Sequence, residues 1–261
     1  MSVWDFVLIV VVSVQATVLA YLHHPKWKAF LLTLPLPFTV AVLALGHRID
    51  ATNVWAMGVL LLYSHAVRVL HQVLRWPILA AIAASALLYC LVGWSIASII
   101  PGGDAAFWLA CVSMGAVAAI VLLNHPHKDE PGHRSPLPIW SKLPIIVVIV
   151  AGLILIKHQL RGFMTMFPMV GVIGAYEARH SLWTMARQIP VVVLTMLAYM
   201  IVSRLASPAV GLGPSLALGW LAFLCVLVPM TRGLWAGPYF VSDRRYALGG
   251  RPSNCRNTRE K

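Results

Sequence analysis

Apolar residues along this chain gather into runs over residues 3–21, 29–45, 52–67, 78–100, 105–123, 143–156, 162–176, 189–203 and 212–230, separated by short connections that carry the charges, prolines and glycines. A helix that crosses a hydrocarbon core of ~30 Å takes about 20 residues. The longer runs therefore predict membrane-spanning helices by length alone. The shorter ones, 143–156 and 162–176 above all, cross only with bilayer thinning, snorkelling flanks or burial among neighbours. That pair has a second reading as a re-entrant hairpin. Taken together, the pattern predicts an all-α polytopic membrane protein of about nine transmembrane helices.

Numbering the connections alternately sorts the charges. Of the 20 Lys and Arg residues, all but Arg48, Lys157, Arg161 and Arg204 fall on one side. Basic residues accumulate in cytoplasmic connections, so this sorting predicts an inner, cytoplasmic membrane location with the N-terminus outside and the C-terminus in the cytoplasm. The first run carries no basic leader and no clear small-residue cleavage site, which predicts a retained helix rather than a removed signal peptide. Its single charge is Asp5.

Composition agrees with the pattern. The chain has 261 residues, 60% hydrophobic and 11% charged, with a mean hydropathy of +0.82, which excludes an ordinary soluble domain. A net charge of +12 would suggest nucleic acid in a soluble protein; here the charge sits in loops and is topogenic. No nucleic-acid partner is expected. Cys90, Cys111, Cys225 and Cys255 show no paired spacing, so neither a disulfide framework nor a metal module follows. His125, His127 and His133 with Asp129 and Glu130 crowd one linker, without the spacing of a zinc site; no metal or cofactor is expected. The chain also lacks nucleophile-elbow and phosphate-loop motifs, so no catalytic residue is assigned. An intramembrane lipid-acting enzyme is a distant alternative that rests on scattered histidines.

A shift of 113 residues aligns rare residue types at run boundaries: Pro25 with Pro138, Trp27 with Trp140, Arg48 with Arg161, Gly58 with Gly171, Tyr63 with Tyr176, Pro77 with Pro190, and Pro101 with Pro214. This predicts an internal duplication. The expected plan is an N-terminal helix (1–24), a first four-helix unit (25–124), a cytoplasmic linker (125–138), a second four-helix unit (139–235) and a basic tail (236–261). Units with an even number of helices run parallel to each other.

Within the second unit, the stretch RGFMTMFPMVGVIGAYEARHSLWTMARQIPVVV, with its Gly162 turn, Phe167-Pro168 pair and Arg187 to Pro190 segment, is followed by a last helix bearing Gly219-Trp220. Residues 139–235 resemble the GlpM-like family of small four-helix inner-membrane proteins. The first unit departs from that pattern, with Trp55 where Pro168 aligns. The resemblance implies a role in alginate or other exopolysaccharide production, and it assigns no catalytic residue.

Ionisable groups near the ends of spans are the strongest functional candidates, because charge inside a bilayer is costly. Tyr63, His65 and Arg68 lie in the stretch of the first unit that corresponds to the one bearing Tyr176, Glu177 and His180 in the second. If the units face each other, these residues form a substrate or proton site at one mouth. Otherwise Glu177 and His180 merely mark the interface and Arg68 snorkels. Arg48 and Arg161 align on the opposite side as an anion-capturing pair or as headgroup anchors. Pro168 and Gly171 predict a helix break.

The function expected from these features is a permease or carrier-like protein moving a small or lipid-linked anionic solute for envelope or exopolysaccharide synthesis. The alternative is a membrane subunit that scaffolds a synthase, docking partner helices on small-residue faces at Gly115 to Ala119 and Gly171 to Ala175. The expected partners are the lipid bilayer and, beyond it, other membrane subunits or further copies of the chain.

Overall fold

The computed structural model describes residues 3–22, 25–124, 144, 160 and 162–236, and no strand occurs among them. In chain order the helices are α1 (Val3–Tyr21), α2 (Pro25–Thr33), α3 (Leu36–Leu45), α4 (Ala51–Arg68), α5 (Ile78–Ile99), α6 (Asp104–Asn124), α7 (Gly162–Thr165), α8 (Met169–Glu177), α9 (Leu182–Val210) and α10 (Leu212–Ala236). A π-helical turn over Val69–Val73 prolongs α4.

Among the described residues, seven stretches are long and apolar enough to cross a membrane: Val3–Tyr21, Trp27–Leu45, Ala51–Val73, Ile78–Ile99, Asp104–Asn124, Leu182–Val210 and Leu212–Gly233. The chain is thus an all-helical multi-pass membrane protein, but the expected nine long helices become seven. The run at 143–156 and the linker at 125–138 lie outside the described residues. The run at 162–176 is divided: Pro168 offers no N–H and its ring crowds the preceding turn, so α7 stops at Thr165 and α8 starts at Met169. Conversely, α9 is longer than the run 189–203, because Pro190 is carried inside the helix.

Local sequence explains the other boundaries. Asp50 caps α4, its carboxylate accepting from the Thr52 N–H at 2.8 Å while the Asn53 side chain accepts from the Asp50 N–H at 2.8 Å, a reciprocal capping box. Gly46 ends α3 at φ 69°, a left-handed conformation that glycine adopts without penalty. Asp104, which resembles a helix cap in the sequence, is instead the first residue of α6, and its carboxylate accepts from Arg204 at 2.6 Å.

Two sets of contacts define the ends of the bundle. At one end Arg204 of α9 donates to the Ile49 carbonyl and to Asp104, joining α9 to the starts of α4 and α6. At the other, Lys28 of α2 donates to the Glu177 carbonyl at 3.2 Å, and the Arg68 guanidinium lies 4.4 Å from the Trp183 ring centroid. Lys28, expected as a loop charge, is 2% exposed. The α7–α8 segment runs parallel to α4: Gly162 packs on Thr52, and Gly171 lies beside the Tyr63 ring. Val3, Asp104 and Leu212 therefore share the Arg204 end, whereas Tyr21, Asn124 and Ala236 share the Lys28 end.

The outer faces of α5, α6 and α10 are apolar. Leu87, Leu91, Trp94, Leu109, Val112, Ile120, Leu221 and Val228 are exposed, while Ser85, Ser203 and Ser215 are buried. A surface of this kind is covered by lipid hydrocarbon, not by water. Inside, α9 and α10 cross closely at Gly219, where a methyl group would overlap the Ser203 hydroxyl.

Candidate functional site

Two helix interruptions face each other across the interior. In the first, Pro35 removes the N–H that would have bonded the Leu31 carbonyl. Gln15 of α1 supplies the missing donor, its Nε2 lying 2.8 Å from the Leu31 carbonyl and 3.5 Å from that of Leu34. In the second, at Met166–Pro168, the Tyr89 hydroxyl donates to the Phe163 carbonyl at 2.9 Å and the Phe167 N–H donates to the Met164 carbonyl at 3.3 Å. Inside a bilayer, broken helices survive only where neighbouring groups take up the freed backbone in this way. The partners are specific, so the breaks are built into the fold.

Between the breaks lies a cavity of about 120 Å³. Thr33, Leu34 and Pro35 line it from one interruption and Met166, Phe167 and Pro168 from the other; Tyr63, Ser64, Gln15 and α9 complete the wall. Among the described residues the lining is chiefly apolar and contains no Lys, Arg, His, Asp or Glu. Most of its polar atoms are engaged: the Thr33 hydroxyl donates to the Phe30 carbonyl at 2.6 Å, Ser64 to that of Leu61 at 2.8 Å and Thr165 to that of Gly162 at 2.6 Å. Gln15 Oε1 and Tyr63 Oη are buried and find no hydrogen-bond partner among the described residues.

Toward the Arg204 end a second concavity of about 410 Å³ is lined by His47, Arg48, Asp50 and Asn53 with Val42, Leu45, Gly162 and Thr165. Thr165 lines both spaces. There the Asn53 Nδ2 donates to the Thr165 hydroxyl at 3.0 Å, and the Gly162 N–H donates to the Thr52 hydroxyl at 3.1 Å. These bonds lie where this vestibule adjoins the cavity. Gly162 allows the approach, since a β-carbon would overlap the Thr52 hydroxyl and the Asn53 backbone.

The residues singled out in the sequence separate accordingly. Tyr63, Pro168 and Gly171 line the cavity, and Arg48 lines the vestibule. Arg161 lies outside the described residues. Arg68, Tyr176, Glu177 and His180 do not line the cavity but gather at the Lys28 end. The Arg179 guanidinium lies 5.1 Å from the Tyr176 ring centroid and donates to the Tyr176 carbonyl at 3.2 Å; Glu177 is 0% exposed and His180 is exposed. His65 is half-buried on α4. Sequence reasoning missed Gln15, Asn53, Thr165 and the break at Pro35. Gln15 is the sole amide in its apolar run and Leu34-Pro35-Leu36-Pro37 interrupts another, which are the signals that mark them.

No family model, curated protein or solved structure matches this chain.

Proposed function

We propose that the chain is a carrier-like multi-pass membrane protein that moves a small solute through the cavity between its two interrupted helices. The observation that carries this reading is the neighbouring vestibule and cavity, linked at Asn53 and Thr165, with interrupted backbone on both sides of the cavity. Interrupted helices that meet near mid-membrane are a recurrent way to build a transport site, because they bring backbone groups to a solute without open loops. Among the described residues the vestibule carries both signs of charge, Arg48 and Asp50, whereas the cavity carries neither. An envelope or exopolysaccharide setting is the context that the GlpM-like resemblance suggests.

The same reading treats 25–124 and 139–235 as parallel copies. The register of 113 pairs Thr52 with Thr165, and the first of these residues packs within the segment that contacts the second. Equivalent positions meet in this way beside a pseudo-twofold axis along the membrane normal. The parallel course of α4 and α7–α8 supports it as well. Arg68, Arg75, Arg179, Arg187 and Arg232 lie toward the Lys28 end, against Arg48 and Arg204 at the other, which supports a cytoplasmic Lys28 end in an inner membrane.

Accessibility tests this without knowledge of the solute. In a variant with Cys90, Cys111, Cys225 and Cys255 replaced by Ser, Thr165→Cys is exposed to a membrane-impermeant thiol reagent in right-side-out and inverted vesicles. A carrier gives labelling from both faces; labelling from one face or neither contradicts it. The scaffold reading has less support, since its small-residue faces are occupied within the chain. Gly115 lies against Leu197, Gly171 lies beside Tyr63, and Ala175 lines the cavity.

A further inference from the structure

We propose that the cavity binds a small uncharged molecule with an apolar body and a hydroxyl group, recognised by Tyr63 Oη and Gln15 Oε1, and that it rejects anions of the same shape. This names the substrate class of the site above and rests on the carrier reading only for its use in transport. The identity of the two atoms is well determined. The Gln15 amide is oriented by carbonyls that accept only from its NH₂ group, which leaves Oε1 as an acceptor without a donor. Tyr63 is 4% exposed, as is Gln15, and its hydroxyl has a proton to give.

A ligand hydroxyl complements both, since it donates and accepts. A polar atom buried without a partner is costly, so a molecule that supplies one recovers that cost on binding. A carboxylate or phosphate has no such gain. It would leave water for a lining that has no cation among the described residues, and such desolvation is uncompensated. Size narrows the class further. An apolar cavity of roughly 150 Å³ holds a benzene ring, so about 120 Å³ suits one ring or a short branched alkyl group.

Phenol, toluene and benzoate share that shape and differ in the group that matters. Each is titrated against the purified full chain in neutral-lipid nanodiscs by ligand-observed NMR, with protein-free lipid discs subtracted to remove partitioning. The expected result is saturable binding of phenol, about three- to tenfold weaker binding of toluene, and none of benzoate over the same range. Tyr63→Phe should reduce the preference for phenol over toluene, leaving the part due to Gln15, with thermal unfolding unchanged or slightly later, because its lost hydroxyl makes no bond among the described residues. Benzoate binding as tightly as phenol, an unaltered preference in Tyr63→Phe, or no saturable phenol binding would each overturn the proposal. If phenol behaves as expected while Thr165→Cys labels from a single face, the carrier reading falls and the ligand class stands.

Discussion

Gln15 shows how much a single side chain holds in this fold. Its amide closes a backbone gap that Pro35 opens, so Gln15→Leu leaves the Leu31 carbonyl with only the long 3.4 Å bond from the Leu34 N–H and takes the Gln15 donor from the Leu34 carbonyl. The expected cost is about 1–3 kcal/mol, read as a lower midpoint of thermal unfolding in detergent. Gly162→Ala should cost a similar amount, about 1–3 kcal/mol by overpacking, because its new methyl meets backbone and not a movable side-chain tip. Gly58→Ala is the control, since only the flexible end of Met114 lies close to it. A Gly162→Ala protein as heat-resistant as Gly58→Ala would contradict the tight packing of α7 on α4. Tyr63, singled out in the sequence because it aligns with Tyr176, lines the cavity; Asn53 was not singled out, because in sequence it looks like part of a cap. It serves as both, accepting from Asp50 with its oxygen and donating to Thr165 with its nitrogen.

At the scale of elements, apolar run length located five of the long helices closely and foretold the break at Pro168. It could not foretell where α9 ends. Helix α9 includes Pro190 and Pro208, whereas Pro77, the counterpart of Pro190, stands at the start of α5. The same residue type thus gives two outcomes, since flanking contacts and not the proline alone decide whether a helix bends or stops. The breaks at Leu34–Pro35 and Met166–Pro168 differ from these in facing a cavity. Pro168→Ala restores an N–H and removes the ring that separates α7 from α8. It should raise the unfolding temperature, because a backbone hydrogen bond is restored, and, if the proposed carrier uses this break, abolish two-sided labelling of Thr165→Cys. Retention of labelling from both faces would show that the interruption is incidental to solute passage.

Over the whole molecule, direction is the property that sequence alone could least secure, because one miscounted span reverses every later connection. The structure supplies a check that needs no hydropathy count. Arg204 and Lys28 mark the two ends by their hydrogen bonds, and the packing of α1 on α3 and of α10 on α9 puts Val3 at the Arg204 end and Ala236 at the Lys28 end. Asn124 and Gly162 likewise lie at opposite ends. A helix of 21 residues such as α6 reaches ~31 Å at 1.5 Å per residue, the thickness of a hydrocarbon core, so opposite ends of the bundle lie at opposite membrane faces. Reporters fused to the two termini should therefore read from opposite faces, with the C-terminal one cytoplasmic because arginines crowd that end. Replacing Arg68, Arg75, Arg179 and Arg187 singly should leave this orientation intact, since the bias is spread over many connections. Two reporters reading from one face would mean that α1 or α10 does not cross, and the cavity would then lose the Gln15 wall that α1 provides.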